Sequence, residues 1–141
     1  MLATRGDREQ AELRLSQMGL LDVRGQKVGT LSGGERRKLD VARSMCNTPQ
    51  MLLLDEPFAG LDPLSLQDVV RRLQALCDSG VSLLITDHLF PAALAICPRV
   101  LYMEGGQITG ESTREEIRKH PWMESSLNAG MVFATICKAD T

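Results

Sequence analysis

Four consecutive apolar residues, Met51-Leu52-Leu53-Leu54, run directly into two adjacent carboxylates, Asp55 and Glu56, and then Pro57. A run this short cannot be a core helix. It is apolar on both faces, which predicts a buried strand of a parallel sheet. In open α/β sheets, ligands bind in the crevice at the carboxyl ends of the strands. An Asp delivered to that edge can hold a magnesium ion beside phosphates, and a Glu next to it can orient or deprotonate an attacking water. The plainer alternative is a pair of solvated acids at a strand end.

The flanking sequence alternates helix and strand. Asp7 to Met18 reads as a helix ended by Gly19, and Gly25–Thr30 as a turn-rich link. Glu35 to Cys46 has Leu39, Ala42 and Met45 at helical spacing, and Asn47-Thr48-Pro49 stops it. Asp62-Pro63 starts another helix, with Asp as the N-cap and Pro in the first turn. Val81–Thr86 is a second apolar strand, Phe90–Ile96 a short helix, and Val100–Met103 a third strand turned by Glu104-Gly105-Gly106 into Gln107–Thr109. Thr113-Arg114-Glu115-Glu116 is a capping box that opens a last helix, which Pro121 ends. The order is that of an α/β fold: a parallel sheet flanked by helices, with a helical lead-in. Residues 1–49 form the lead-in, 50–125 the α/β core and 126–141 a tail without a clear pattern.

Three more groups carry chemistry. Leu31-Ser32-Gly33-Gly34-Glu35 sets a serine and two glycines at a helix start, where backbone N–H groups and the helix dipole favour an anion. An ordinary serine cap with a glycine turn is the simpler account. His88, after Thr86-Asp87 at the second strand's end, could contact a phosphate or order a water, although a lone His is more often structural. Gly60-Leu61-Asp62 precedes the third helix, and its simple reading is the N-cap already assigned to Asp62.

Composition narrows the classes. With 43% hydrophobic and 24% charged residues the chain is neither disordered nor fibrous. Its 141 residues suit one compact domain. The net charge of −2, with scattered positive charges, gives no footprint for nucleic acid. Cys46, Cys77, Cys97 and Cys137 form no CxxC pair and read as reduced, buried thiols. No apolar run approaches the roughly 18–20 residues needed to span a bilayer, so a membrane role would come through a partner.

Taken together, these motifs resemble the ABC-type ATPases. Leu31–Glu35 looks like the family's signature, Met51–Pro57 like its Walker B segment with the catalytic Glu, Gly60–Asp62 like its D-loop and His88 like its switch histidine. The spacing agrees: Ser32 precedes Asp55 by 23 positions, and His88 follows Asp55 by 33. Within the family, Leu31–Lys38, Asp55–Gly60 and Ile85–His88 look most like the ATPases of lipopolysaccharide exporters; those of branched-chain amino-acid importers are similar. Leu89-Phe90-Pro91 departs from both. The resemblance covers about residues 8–125.

The resemblance implies a partial P-loop NTPase fold and ATP hydrolysis coupled to transport. Asp55 would hold magnesium, while Glu56 and His88 would be catalytic. Leu31, Ser32, Gly33, Gly34 and Glu35 would cover ATP bound to a second ATPase subunit in a head-to-tail dimer, with Asp62 at the interface. Transmembrane transporter subunits would hold the ATPase at the inner face of the cell membrane, on the cytoplasmic side. One element of the family pattern is missing. G-x-x-x-x-G-K-[ST] occurs nowhere: Gly29 and Gly34 have the right separation but Glu35-Arg36 follows, and after Gly105 and Gly110 comes Glu111-Ser112. About thirty residues precede Leu31, too few for the family's upstream half. The expectation is a truncated ATPase that does not bind ATP appreciably alone, because the P-loop supplies most of the phosphate cradle. A repair or translation ATPase of the same class, and a regulatory module lending its signature to another subunit, are the alternatives.

Overall fold

The apolar runs read as strands all lie in one sheet. β1 (Met51–Asp55), β2 (Ser82–Thr86), β3 (Arg99–Glu104), β4 (Gln107–Thr113) and β5 (Val132–Cys137) are arranged in the order β1-β2-β5-β3-β4. The computed structural model describes residues 5–119 and 132–137. β1 and β2 pair in parallel, from Met51 opposite Ser82 to Asp55 opposite Thr86. β5 runs antiparallel to both β2 and β3, so β1, β2 and β3 share one direction. β3 and β4 form a hairpin through Gly105 and Gly106, both at positive φ (56° and 79°), as a two-residue turn matched to strand twist requires.

Of the described strands, the one at 132–137 has no counterpart in the sequence pattern, and neither do the short 3-10 turns at Leu21–Val23, Val28–Thr30 and Met45–Asn47. Val132-Phe133-Ala134-Thr135-Ile136-Cys137 is mostly apolar, as a central strand should be, but no turn signal frames it. The expected stop at Pro121 lies outside the described residues. β1 also differs from a doubly covered strand. It forms one edge of the sheet, and the described residues leave Met51 and Leu53 47% and 72% exposed. Cys46 and Cys97 lie outside any disulfide, Cys97 buried and Cys46 half-buried, whereas Cys77, expected reduced, is disulfide-bonded.

The chain divides into two compact units. One comprises Gln50–Ala59 and Leu73–Thr141, and contains the sheet. Helix α4 (Phe90–Ile96) and helix α5 (Arg114–Lys119) pack on it through a core of Phe90, Leu94, Val100 and Ile117, with Tyr102 against that core. Thr113 and Glu116 cap α5 reciprocally: the Thr113 N–H donates to Glu116 Oε2 at 2.7 Å, and the Glu116 N–H to Thr113 Oγ1 at 3.2 Å.

The other unit comprises Met1–Pro49 and Gly60–Arg72. It holds α1 (Arg5–Gln17), α2 (Gly33–Ser44) and the first part of α3 (Pro63–Asp78). Gly19 ends α1 at φ 63°, and the Leu20 N–H closes the turn onto the Leu15 carbonyl at 2.8 Å. A Cβ on Gly19 would stand 2.0 Å from Arg72 Nη2, so only glycine admits that guanidinium, which donates to the Gln17 carbonyl at 2.9 Å.

Candidate functional site

The register of β1 on β2 places Asp55 opposite Thr86, and the Thr86 hydroxyl donates to Asp55 Oδ1 at 2.5 Å. Glu56 follows at φ 46°, in the left-handed region. A residue with a Cβ is held there at a cost of about 1–3 kcal/mol, so its surroundings must impose it. They do: the Glu56 N–H donates to the Thr86 carbonyl at 2.7 Å, and the Glu56 carbonyl accepts from the Ala59 N–H at 3.2 Å. This backbone turns the Glu56 side chain to His88, whose Nε2 lies 3.0 Å from Glu56 Oε1. Both groups are solvent-accessible. The fold thus brings His88 to the end of β1, where Asp55 and Glu56 lie 33 and 32 positions before it in the chain.

Asp87 holds the two loops in that arrangement. It is buried, and its carboxylate accepts the Phe58 N–H on Oδ2 and the Leu89 N–H on Oδ1, both at 2.8 Å. Phe58 is fully buried and pins the loop that follows Glu56. In the sequence Asp87 stands out only as a neighbour of His88, and Thr86 only as the end of a strand. The available signal was an acid between an apolar strand and a histidine, a position where a charge needs partners if it is buried.

Among the described residues, no group of three or more His, Cys, Asp or Glu side chains converges as a metal cage. Magnesium commonly takes only one or two carboxylates and completes its shell with water and phosphate oxygens. Asp55, a hard oxygen donor at the strand edge, fits a share of such a site.

The second group of predicted residues sits at the start of α2. Ser32 is the N-cap: its Oγ accepts the Glu35 N–H at 3.2 Å, and Glu35 Oε2 accepts the Ser32 N–H at 2.7 Å. That backbone N–H, with the Ser32 hydroxyl, lowers the Glu35 carboxyl pKa below its usual value. Glu35 therefore serves the helix cap in this structure. Leu31 is buried, and Gly34 faces inward, where a Cβ would stand 2.7 Å from Ser65 Oγ. Gly33 is open, with nothing within 4 Å of where its Cβ would be. Of the five residues, Ser32 and Gly33 present the exposed helix start; Leu31 and Gly34 anchor it. Asp62 caps α3: its Oδ1 accepts the Leu64 and Ser65 N–H groups at 3.0 and 3.1 Å, and the Ser65 hydrogen bonds lower its carboxyl pKa.

Residues 3–59, which include both the Ser32 helix start and the Asp55-Glu56 strand end, match the family model described as ABC transporter. Over 98 residues the chain is 45% identical to the lipopolysaccharide export system ATP-binding protein LptB of Escherichia coli K12, an alignment covering 70% of this chain and 39% of that protein. LptB of Acidithiobacillus ferridurans is 39% identical over 113 residues, covering 80% of this chain and 47% of that protein. The chain belongs to the ABC transporter ATPase family. A nucleotide-free ATP-binding cassette from an ABC transporter matches its structure with a TM-score of 0.80 at 27% identity, covering 88% of this chain and 49% of the cassette. The ABC fold is thus present in part: the chain spans less than half the length of these relatives. No described helix is long and apolar enough to cross a membrane.

Proposed function

We propose that this chain is the C-terminal half of the ATP-binding, ATP-hydrolysing subunit of an ABC transporter that serves lipopolysaccharide export. The observation that carries the mechanism is the 3.0 Å approach of His88 Nε2 to Glu56 Oε1 at the strand edge where Asp55 also ends. The likeness to two LptB proteins supports the substrate class. In this reading Asp55 holds magnesium, which when bound neutralises charge on the phosphates. Glu56 takes a proton from, or orients, the attacking water, and His88 fixes the Glu56 carboxylate and reaches toward the terminal phosphate.

The second half of the reading concerns α2. Ser32 and Gly33 offer a hydroxyl and an unobstructed helix start to the nucleotide of a second ATPase subunit paired head to tail. Asp62 lies at that interface, and transmembrane subunits anchor the pair at the cytoplasmic face of the membrane. This chain has no G-x-x-x-x-G-K-[ST] sequence, so by itself it lacks the lysine and backbone cradle for phosphates. Calorimetric titration with Mg-ATP should give no binding at millimolar affinity or better, a level worth about 4 kcal/mol; a micromolar isotherm would refute that part.

The positive test is complementation. A P-loop-bearing subunit whose own signature is mutated should regain ATPase activity when this chain is added. Ser32→Arg, which places a bulky charge at the exposed helix start, should remove the gain. Equal activity with both chains would refute the reading.

A further inference from the structure

The starts of α2 and α3 are fastened to each other by two contacts one turn apart. At the first, Gly34 lies so near Ser65 that a Cβ would meet Ser65 Oγ at 2.7 Å and Ser65 Cβ at 2.8 Å. At the second, Lys38 Nζ donates to Asp68 Oδ2 at 2.7 Å. Both contacts advance along the two helices in the same sense, from 34 to 38 and from 65 to 68. The Lys38 ammonium is largely shielded, and Asp68 is only partly exposed. Asp68 also accepts from Arg71 Nη2 at 2.7 Å and from Arg72 Nε at 3.0 Å. Arg72 continues the chain of contacts to the Gln17 carbonyl at the end of α1. Burial alone would raise the Asp68 carboxyl pKa, but hydrogen bonds from these three cations hold it well below the usual range.

We propose that Lys38 and Asp68 are positioning residues that make the Ser32 helix start and the Asp62 cap one mechanical body, so that a change at either is felt at the other. The physical basis is the ion pair plus the glycine approach. Asp68 is also fixed on α3 by its two arginines, so Lys38 transmits to a rigid point. The functional consequence, that the signature and the Asp62 loop meet a partner subunit together, rests on the reading proposed above. The coupling itself does not, and it can be measured without nucleotide.

The experiment is amide hydrogen exchange on the full chain. Asp62→Ala removes the acceptor for the Leu64 and Ser65 N–H groups and loosens the start of α3. In the native background it should speed exchange at the Glu35 amide, which Ser32 caps, by about twofold or more, the lower end of coupling between neighbouring groups. With Lys38→Met, which keeps the packing of the stem but leaves Asp68 to its arginines, the same Asp62→Ala change should no longer reach Glu35. Lys38→Arg should restore the effect. A residue that merely stabilised the fold would change exchange broadly without removing this cross-talk. If Asp62→Ala leaves Glu35 unchanged in the native background, or speeds it equally with Lys38→Met, the proposal is wrong. If Lys38→Met does not fold, Lys38→Gln takes its place, and the native-background arm alone can still overturn the idea. Loss of complementation with the cross-talk intact would count against the ATP reading and not against this coupling.

Discussion

β1 and β2 have the same length, pair in register and read almost alike in sequence, yet they live in different surroundings. Leu83 and Ile85 of β2 are fully buried, with strands on both sides. β1 lies at the edge of the sheet, where Leu52 is buried but Leu53 is 72% exposed. Alternate residues of a strand point to opposite faces, so Met51 and Leu53 share a face and Leu52 takes the other. An unbroken apolar run therefore states that both faces can be buried, not that both are. What decides is whether other chain is present to cover the strand.

Truncating one leucine in each strand should separate the two environments most strongly. Leu83→Ala should destabilise the chain by about 2–5 kcal/mol, because it removes a fully buried side chain and leaves a cavity. Leu53→Ala should stay within about 0.5 kcal/mol, as exposed substitutions usually do. Urea unfolding of the two variants measures both. Similar losses would mean that β1 is covered after all.

The loops that follow the two strands are joined by Asp87, and this gives the next effect in size. Asp87→Ala leaves the Phe58 N–H without its acceptor inside the protein and frees the Leu89 N–H as well. Each buried unsatisfied group costs about 1–3 kcal/mol. The strand ends should then separate. The variant should lose stability, and nuclear Overhauser contacts between the Glu56 and His88 side chains should weaken. If those contacts persist unchanged, the clamp is not what holds the pair.

Much of this was legible in the sequence, and the reasons differ from one element to the next. The helix starts at Ser32, Asp62 and Thr113 were readable because a cap is local: the acceptor and the N–H groups it serves lie within three residues. The short helix Phe90–Ile96 keeps the bounds read for it. The grouping of Asp55, Glu56 and His88 came from the motifs and their order, and the register of β1 on β2 brings them together. The left-handed Glu56, the Asp87 clamp and the Lys38–Asp68 bond were not legible, since each depends on which loop or helix face meets which. β5 was missed for the same reason. Its place between β2 and β3 is a property of the sheet and has no local mark.

A third prediction uses a perturbation that leaves both strand interiors untouched. The leucines and isoleucine of β1 and β2 do not titrate, whereas Asp68 in the helical unit does. Its folded pKa is depressed from the ordinary 3.8. A depressed carboxylate contributes stability that is fully present above its unfolded value and is lost as pH falls through the folded one. Thermal unfolding should therefore show a stability loss beginning near pH 4 and deepening below it. Asp68→Asn should be less stable at neutral pH and should lose part of that acid dependence. The gap between Leu83→Ala and Leu53→Ala should stay the same at pH 7 and pH 5. An acid dependence unchanged by Asp68→Asn would show that other carboxylates carry it.

The smallest expected change in stability tests the edge directly. Among the described residues β1 has a strand neighbour on one side only, and it carries two exposed apolar side chains, Met51 and Leu53, on one face. An apolar edge of this kind is a template for strands of other molecules, and natural sheets commonly guard such edges with a charged side chain, lysine above all. β1 has none before Asp55. The chain should therefore self-associate at micromolar concentration, and Leu53→Lys should reduce that association while changing unfolding stability by no more than about 0.5 kcal/mol. The charge acts on a docking strand and not on the fold, since Leu53 already faces solvent. Light scattering after size exclusion, run beside urea unfolding, separates the two effects. A monodisperse monomer in the native chain would remove the basis for the prediction. Undiminished association in Leu53→Lys would place the contact elsewhere than β1.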